Sequence, residues 1–189
     1  ATLRAIGKRL PARQSWRLVD NDIGLLGTAA TLGRPPEVTV TARAVDLVRD
    51  LELALDGPVD LITTSALLDL VSETWMRAFA RRCREARVAV LCALSYDGRI
   101  VCEPSDADDR LVCDLVNRHQ QTDKGFGVAL GPDAARVAAD CFRDDGFEVQ
   151  TAESDWVLDA TQAALQRQLI EGWVQSGMPG GACGELADQ

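Results

Sequence analysis

Short β-branched runs alternate with amphipathic helical stretches along most of this chain, and that alternation fixes its fold class. It is the pattern of an α/β protein with a largely parallel sheet, because parallel neighbours need a crossover element between them. Strands are expected at residues 15–20, 38–45, 59–66, 87–94 and 147–151. The 87–94 run is the most apolar and is expected at the centre of the sheet, since a strand covered on both faces loses its polar alternation. Helices are expected at 1–10, where Leu3, Ile6 and Leu10 recur at helical spacing, and again at 23–32 and 46–55. Ser72 suits the cap of a further helix, with Met76, Phe79, Ala80 and Cys83 on one face and Arg77, Arg81 and Arg82 on a solvated one. Later helices are expected near 107–121, from Pro132 to Gly146, and after the capping residue Asp159, with Leu165, Leu169 and Trp173 on one stripe. Trp75 and Trp156 read as core residues.

Composition narrows the function classes. With 47% hydrophobic and 26% charged residues in 189, the chain suits a soluble globular domain. Its longest apolar runs are strand-sized, so no membrane span is expected. A formal charge of −9 disfavours nucleic acid, whose binding draws on phosphate neutralisation. Cys83, Cys92, Cys102, Cys113, Cys141 and Cys183 are scattered without a CxxC pair, and the one histidine leaves no zinc spacing. Free thiols in a reducing cytoplasm, and no metal site, are the expectation. The chain opens without Met, within a helical stretch, as though cut in mid-element. One domain is expected over 1–176, with a flexible glycine-rich tail at 177–189.

In doubly wound sheets, ligands bind where the carboxyl ends of strands open into loops. Three such ends carry suggestive residues. In the run Arg17 to Asp22 (RLVDND), Asp20, followed by Asn21, puts a carboxylate at a strand end, where it can accept both hydroxyls of a ribose. Asp20 or Asp22 equally suits a helix cap. In the run ARAVDL, Asp46 can accept from an adenine amino group while Leu47 packs on the ring, although Asp46 too suits a cap. After the third strand, Thr64, Ser65 and Ala66 leave space for a ligand and Asp69 can face it, or be solvated. The order matters more than any one residue. A ribose acid, an adenine acid and an open strand end occur at successive strand–helix junctions.

On these residues the chain resembles the class I SAM-dependent methyltransferases over nearly its whole length. RLVDND is similar to the family's second-strand motif, ARAVDL to its adenine-contacting motif, and LITTSALLDLVS to its fourth strand and following loop. The resemblance implies a Rossmann-like doubly wound sheet flanked by helices, with the first strand absent and its glycine-rich loop lying just before Ala1. It implies S-adenosyl-L-methionine as cofactor, held by Asp20, Asn21, Asp46, Leu47, Thr64, Ser65 and Ala66. The family's closing hairpin is not evident after Trp173, so the end is expected to be trimmed too.

Such enzymes insert substrate-recognition elements after the fifth strand, which corresponds here to 104–131. That stretch holds His119, Gln120, Lys124 and Phe126, expected with Asp69 and Tyr96 to line the acceptor site. His119 is expected to face inward, as a general base or as a buried histidine satisfied by a neighbour. Lys124 can hold an anionic substrate group or lie free on the surface. Methyl transfer from a sulfonium needs positioning and water exclusion more than a fixed triad, and none is evident. Without an Asp/Asn-Pro-Pro-aromatic motif or a Pro-Cys pair, the expected acceptor is a small molecule reacting at oxygen, nitrogen or carbon. The alternatives are a nicotinamide-dependent oxidoreductase, which Asp20 would serve equally well, and a non-catalytic binding protein. Either a monomer or a homodimer is compatible with the sequence.

Overall fold

A computed structural model describes residues 2–177. The chain is a mixed α/β protein in which two short parallel sheets, of two strands each, alternate with helices. After α1 (Thr2–Ile6) and a 3-10 turn, β1 (Gln14–Asp20) leads to α2 (Ile23–Thr31) and β2 (Val38–Ala44). β1 and β2 pair in parallel from Gln14 opposite Val38 to Asp20 opposite Ala44. A short α3 (Leu51–Ala54) precedes β3 (Leu61–Ser65), α4 (Glu73–Ala86) and β4 (Ala89–Ala93), and β3 and β4 pair in parallel from Leu61 opposite Ala89. Helices α5 (Asp109–Gln120), α6 (Ala134–Asp144) and α7 (Ala163–Gly177) complete the order.

The α4 helix forms as its sequence dictates. The Ser72 hydroxyl accepts from Trp75 N–H, Arg87 closes the helix in the left-handed conformation, and the apolar stripe is buried. Met76, Ala80 and Cys83 are completely buried, and the stripe packs on Ala134, Val137, Ala138, Cys141 and Phe142 of α6. Trp75 stacks on Phe79, with ring centroids 5.2 Å apart. Phe79 meets Phe142 edge-on, as Phe142 meets Phe147. Burying a Phe or Met side chain contributes roughly 1.5–3 kcal/mol, so this layer dominates the packing.

Several expectations need correction. The 46–55 stretch is not one helix: Asp46 caps a single turn, its carboxylate accepting from Val48 and Arg49 N–H and its carbonyl from Asp50 N–H, and α3 starts afresh at Leu51. Residues 147–151 pair with no strand among the described residues, although Phe147 and Val149 pack against the core. The 87–94 strand is not central. Among the described residues it pairs with β3 alone, and while Val90 and Cys92 face the core, Leu91 is exposed. Trp156 is 63% exposed rather than core, on a segment held by ion pairs of Arg99 with Glu153 and Asp155. Cys83, Cys92, Cys102, Cys113 and Cys141 are free thiols. Cys183 and the tail beyond 177 lie outside the described residues.

Candidate functional site

The loops that follow β2 and β3 are brought together by Trp75. Its indole N–H donates to the Leu47 carbonyl at 2.7 Å, which sets the start of α4 against the loop beyond β2. Phe126 meets the same indole edge-on at 5.5 Å. The segment carrying Phe126 is fastened beside the one leaving β3, with Leu130 N–H donating to Val71 O (2.8 Å) and Gly131 N–H to Asp69 O (2.9 Å). Gly131 is required there. Its φ is +51°, and a Cβ would lie 3.1 Å from the Gln120 carbonyl carbon. Thus Trp75, buried in the core as expected, joins the loop of Leu47 to that of Phe126, and the Phe126 loop is in turn fastened to Asp69 and Val71.

Beside this junction lies a second polar group. Tyr96 O–H donates to Asn117 Oδ1 at 2.7 Å, while Asn117 Nδ2 donates to Gly98 O at 3.2 Å. Gly98 permits the contact, since with φ +83° a Cβ would lie 2.8 Å from that of Pro132. Burial pushes the Tyr96 phenol up to about 12, so it stays protonated and keeps its donor. Asp69 is 8% exposed, and its Oδ1 has no hydrogen-bond partner among the described residues. Burial raises its carboxyl above the usual range, against the opposing pull of its own N–H and that of Tyr96. The Thr64 hydroxyl is likewise buried without a partner. Asn117 was missed in the sequence. Its only signal was the spacing of four from Cys113, which puts both on the face of α5 that meets Gly98 O.

Both strands of the second pair leave the sheet by a left-handed residue, Ala66 (φ 52°) after β3 and Leu94 (φ 57°) after β4. Side chains rarely adopt that conformation, and Ala66 N–H still continues the ladder to Ala93 O. No family model, curated protein or solved structure matches the chain. What the rim can do follows from its residues.

The first pair carries the two carboxylates. Asp20 ends β1, and Asp46 lies two residues past the end of β2, so both stand at the carboxyl end of neighbouring parallel strands. Asp22, not Asp20, caps α2, its Oδ1 accepting from Leu25 N–H at 2.9 Å. Asp20 accepts one hydrogen bond, from Asp22 N–H at 2.9 Å. Asp46 is more heavily engaged. It accepts from Val48 and Arg49 N–H and pairs with the Arg49 guanidinium at 2.8 Å. The Val48 N–H, helped by Arg49 and opposed by burial, holds its carboxyl below the ordinary value. Asn21 is exposed beside Asp20.

His119 and Lys124 face each other instead of the Asp69 group, with Lys124 Nζ 3.0 Å from His119 Nε2. Burial, then Lys124, lowers the imidazole below its usual value. The ring is therefore neutral near pH 7, but its bare nitrogen is already taken by the ammonium. An open groove runs past Ser72, Glu73, Gln121, Leu130, Asp133 and Arg136, and another past Leu32, Pro35, Pro36 and Val38. Neither groove includes Asp20 or Asp46. Among the described residues no helix is long and apolar enough to cross a membrane.

Proposed function

We propose that the protein is a SAM-dependent methyltransferase acting on a small molecule. The observation that carries this reading is the register of β1 and β2, which sets Asp20 and Asp46 at one rim of neighbouring parallel strands. The fit can be counted. A carboxylate offers about four acceptor sites. Asp20 uses one, leaving enough for the two donors of a ribose diol. Asp46 meets three donors from the chain and keeps a site for one adenine N–H. Leu47, fixed by its carbonyl to Trp75, supplies an apolar neighbour for a ring. In this reading Thr64, Ser65 and Ala66, at the end of β3, line the cofactor's methionine end.

The bound cofactor supplies a methyl group on a cationic sulfur, which leaves without help from an acid. The chain's part is to hold the acceptor and exclude water. Tyr96, its single O–H given to Asn117, can accept from a donor group on the acceptor. Asp69, its carboxyl raised by burial, can donate to an acceptor's oxygen in its protonated form without adding charge. His119 does not serve as base while Lys124 holds its Nε2.

Calorimetric titration of the protein with S-adenosylmethionine, S-adenosylhomocysteine and NAD tests the reading. The first two bind and NAD does not. Asp20→Ala weakens S-adenosylmethionine by about 1–3 kcal/mol through an unpaired ribose. Binding of NAD alone, or unchanged affinity in a folded Asp20→Ala protein, overturns it.

A further inference from the structure

Of the eighteen arginines of this acidic chain, eight have a counter-charge in reach among the described residues. Arg43, Arg49, Arg77, Arg82, Arg84, Arg99, Arg136 and Arg143 each have a carboxylate oxygen within 4.0 Å. Lys124, one of two lysines in the sequence, has none among the described residues. Its partner is the imidazole of His119, the chain's only histidine, and both side chains are half-buried. A lysine ammonium has three donors and no acceptor, so it donates to a bare Nε2 and leaves the histidine proton on Nδ1. The pair then carries one positive charge, two unused ammonium donors and a ring that can take another proton. A partly desolvated cation with spare donors and no counter-charge is costly unless something negative joins it.

The backbone around the pair is held in place. Thr122 Oγ1 donates to His119 O at 2.8 Å. Asp123 Oδ1 accepts from Gly125 N–H at 2.7 Å and Gly127 N–H at 3.1 Å, so the residues on either side of Lys124 are tied down. The same loop delivers Phe126 to Trp75 and returns along Asp69 to Val71.

We infer that His119 and Lys124 form a receptor for an oxyanion, a carboxylate or phosphate group carried by the small-molecule substrate. Calling that molecule the methyl acceptor rests on the function proposed above; the anion site itself does not. On binding, the anion accepts from the ammonium, the imidazole takes a proton from solvent, and its new Nε2–H donates to the anion. The net charge of −9 makes a diffuse attraction for anions unfavourable, so binding has to come from this local pair.

A single histidine gives a single imidazole signal in NMR, which makes the test direct. The ring is titrated with acid in chloride, in inorganic phosphate and in acetate, at equal ionic strength to remove screening differences. In chloride it titrates below the ordinary histidine value. With phosphate or acetate the midpoint moves up, saturably, and a response to phosphate alone narrows the ligand to a phosphoryl group. Lys124→Gln raises the chloride midpoint and weakens the anion response roughly tenfold or more, while Lys124→Arg retains it. The wild-type titration decides the matter even if a variant fails to fold. One midpoint in all three salts, or an undiminished response in folded Lys124→Gln, overturns the inference and leaves Lys124 as a cation serving the carbonyl end of α5. Cofactor titrations report on Asp20, not on this pair, so failure here is distinguishable from failure of the methyltransferase reading.

Discussion

Around β3 and β4 a continuous layer of Trp75, Met76, Phe79, Ala134, Val137 and Phe142 is buried, whereas around β1 and β2 the buried side chains are Leu26, Val38 and Val45. On α2, Ile23 is 74% and Leu25 60% exposed. The first pair is held to its surroundings by polar tethers. Arg43 donates to Leu53 O at 2.7 Å and Arg17 to Ala54 O at 3.4 Å, both at the end of α3, and Trp75 donates to Leu47 O. The half that carries the paired carboxylates is therefore the lightly packed one. Its geometry depends on directional bonds, while the other half depends on area removed from water.

The largest expected effect falls in the packed half. Phe79→Ala removes a ring that touches both Trp75 and Phe142 and lowers stability by about 3–5 kcal/mol in urea unfolding. Native-state hydrogen exchange in the same variant sharpens the contrast. Protection falls across the β3–β4 ladder, while β1–β2 amides, which open locally, change little. Equal losses in both sheets would mean that the halves unfold as one. A smaller effect is expected at the tether. Trp75→Phe keeps an aromatic ring in place but removes the donor to Leu47 O, costing about 1 kcal/mol and quickening exchange near Val45. Unaltered exchange there would deny the tether its role.

The smallest effect is one of pH. Burial raises the Asp69 carboxyl in the folded protein. Its contribution is therefore fully present below the unfolded carboxylate value and is lost as pH rises through the folded one. Asp69→Asn, which cannot ionise, gains on the wild type from acid toward neutral pH. A stability difference that stays constant across that range would show that the carboxyl does not titrate differently on folding.

Much of the packed half was legible in the sequence. Ser72 and the stripe of Met76, Phe79, Ala80 and Cys83 obey short-range rules that need nothing but spacing, and both parallel pairs lie where the alternation puts their strands. What was not legible depends on contacts between distant residues. Whether 147–151 pairs as a strand is decided by a neighbour elsewhere in the chain, and none is present among the described residues. The 46–55 stretch reads as one helix, but the turn that Asp46 caps ends at Asp50 and α3 restarts at Leu51. At the site, the strand-end positions of Asp20 and Asp46 could be read directly. The burial of Asp69 could not, because it is made by a loop some sixty residues further on, which bonds to Asp69 O and Val71 O. Nor could the engagement of His119 by Lys124, which depends on how one loop folds back.

The left-handed residues after β3 and β4 bear on how that rim behaves in time. A non-glycine residue in this conformation costs about 1–2 kcal/mol, and the cost is sustained only where neighbouring contacts over-determine the backbone. Ala66 and Leu94 are such residues on adjacent strands, so the two corners act as paired springs at one edge. Easing either would swing the chain that leads toward Asp69 or Tyr96, but only by giving up contacts such as the bond from Ala66 N–H to Ala93 O. The rim is thus held in a strained shape by the stiff layer beneath it.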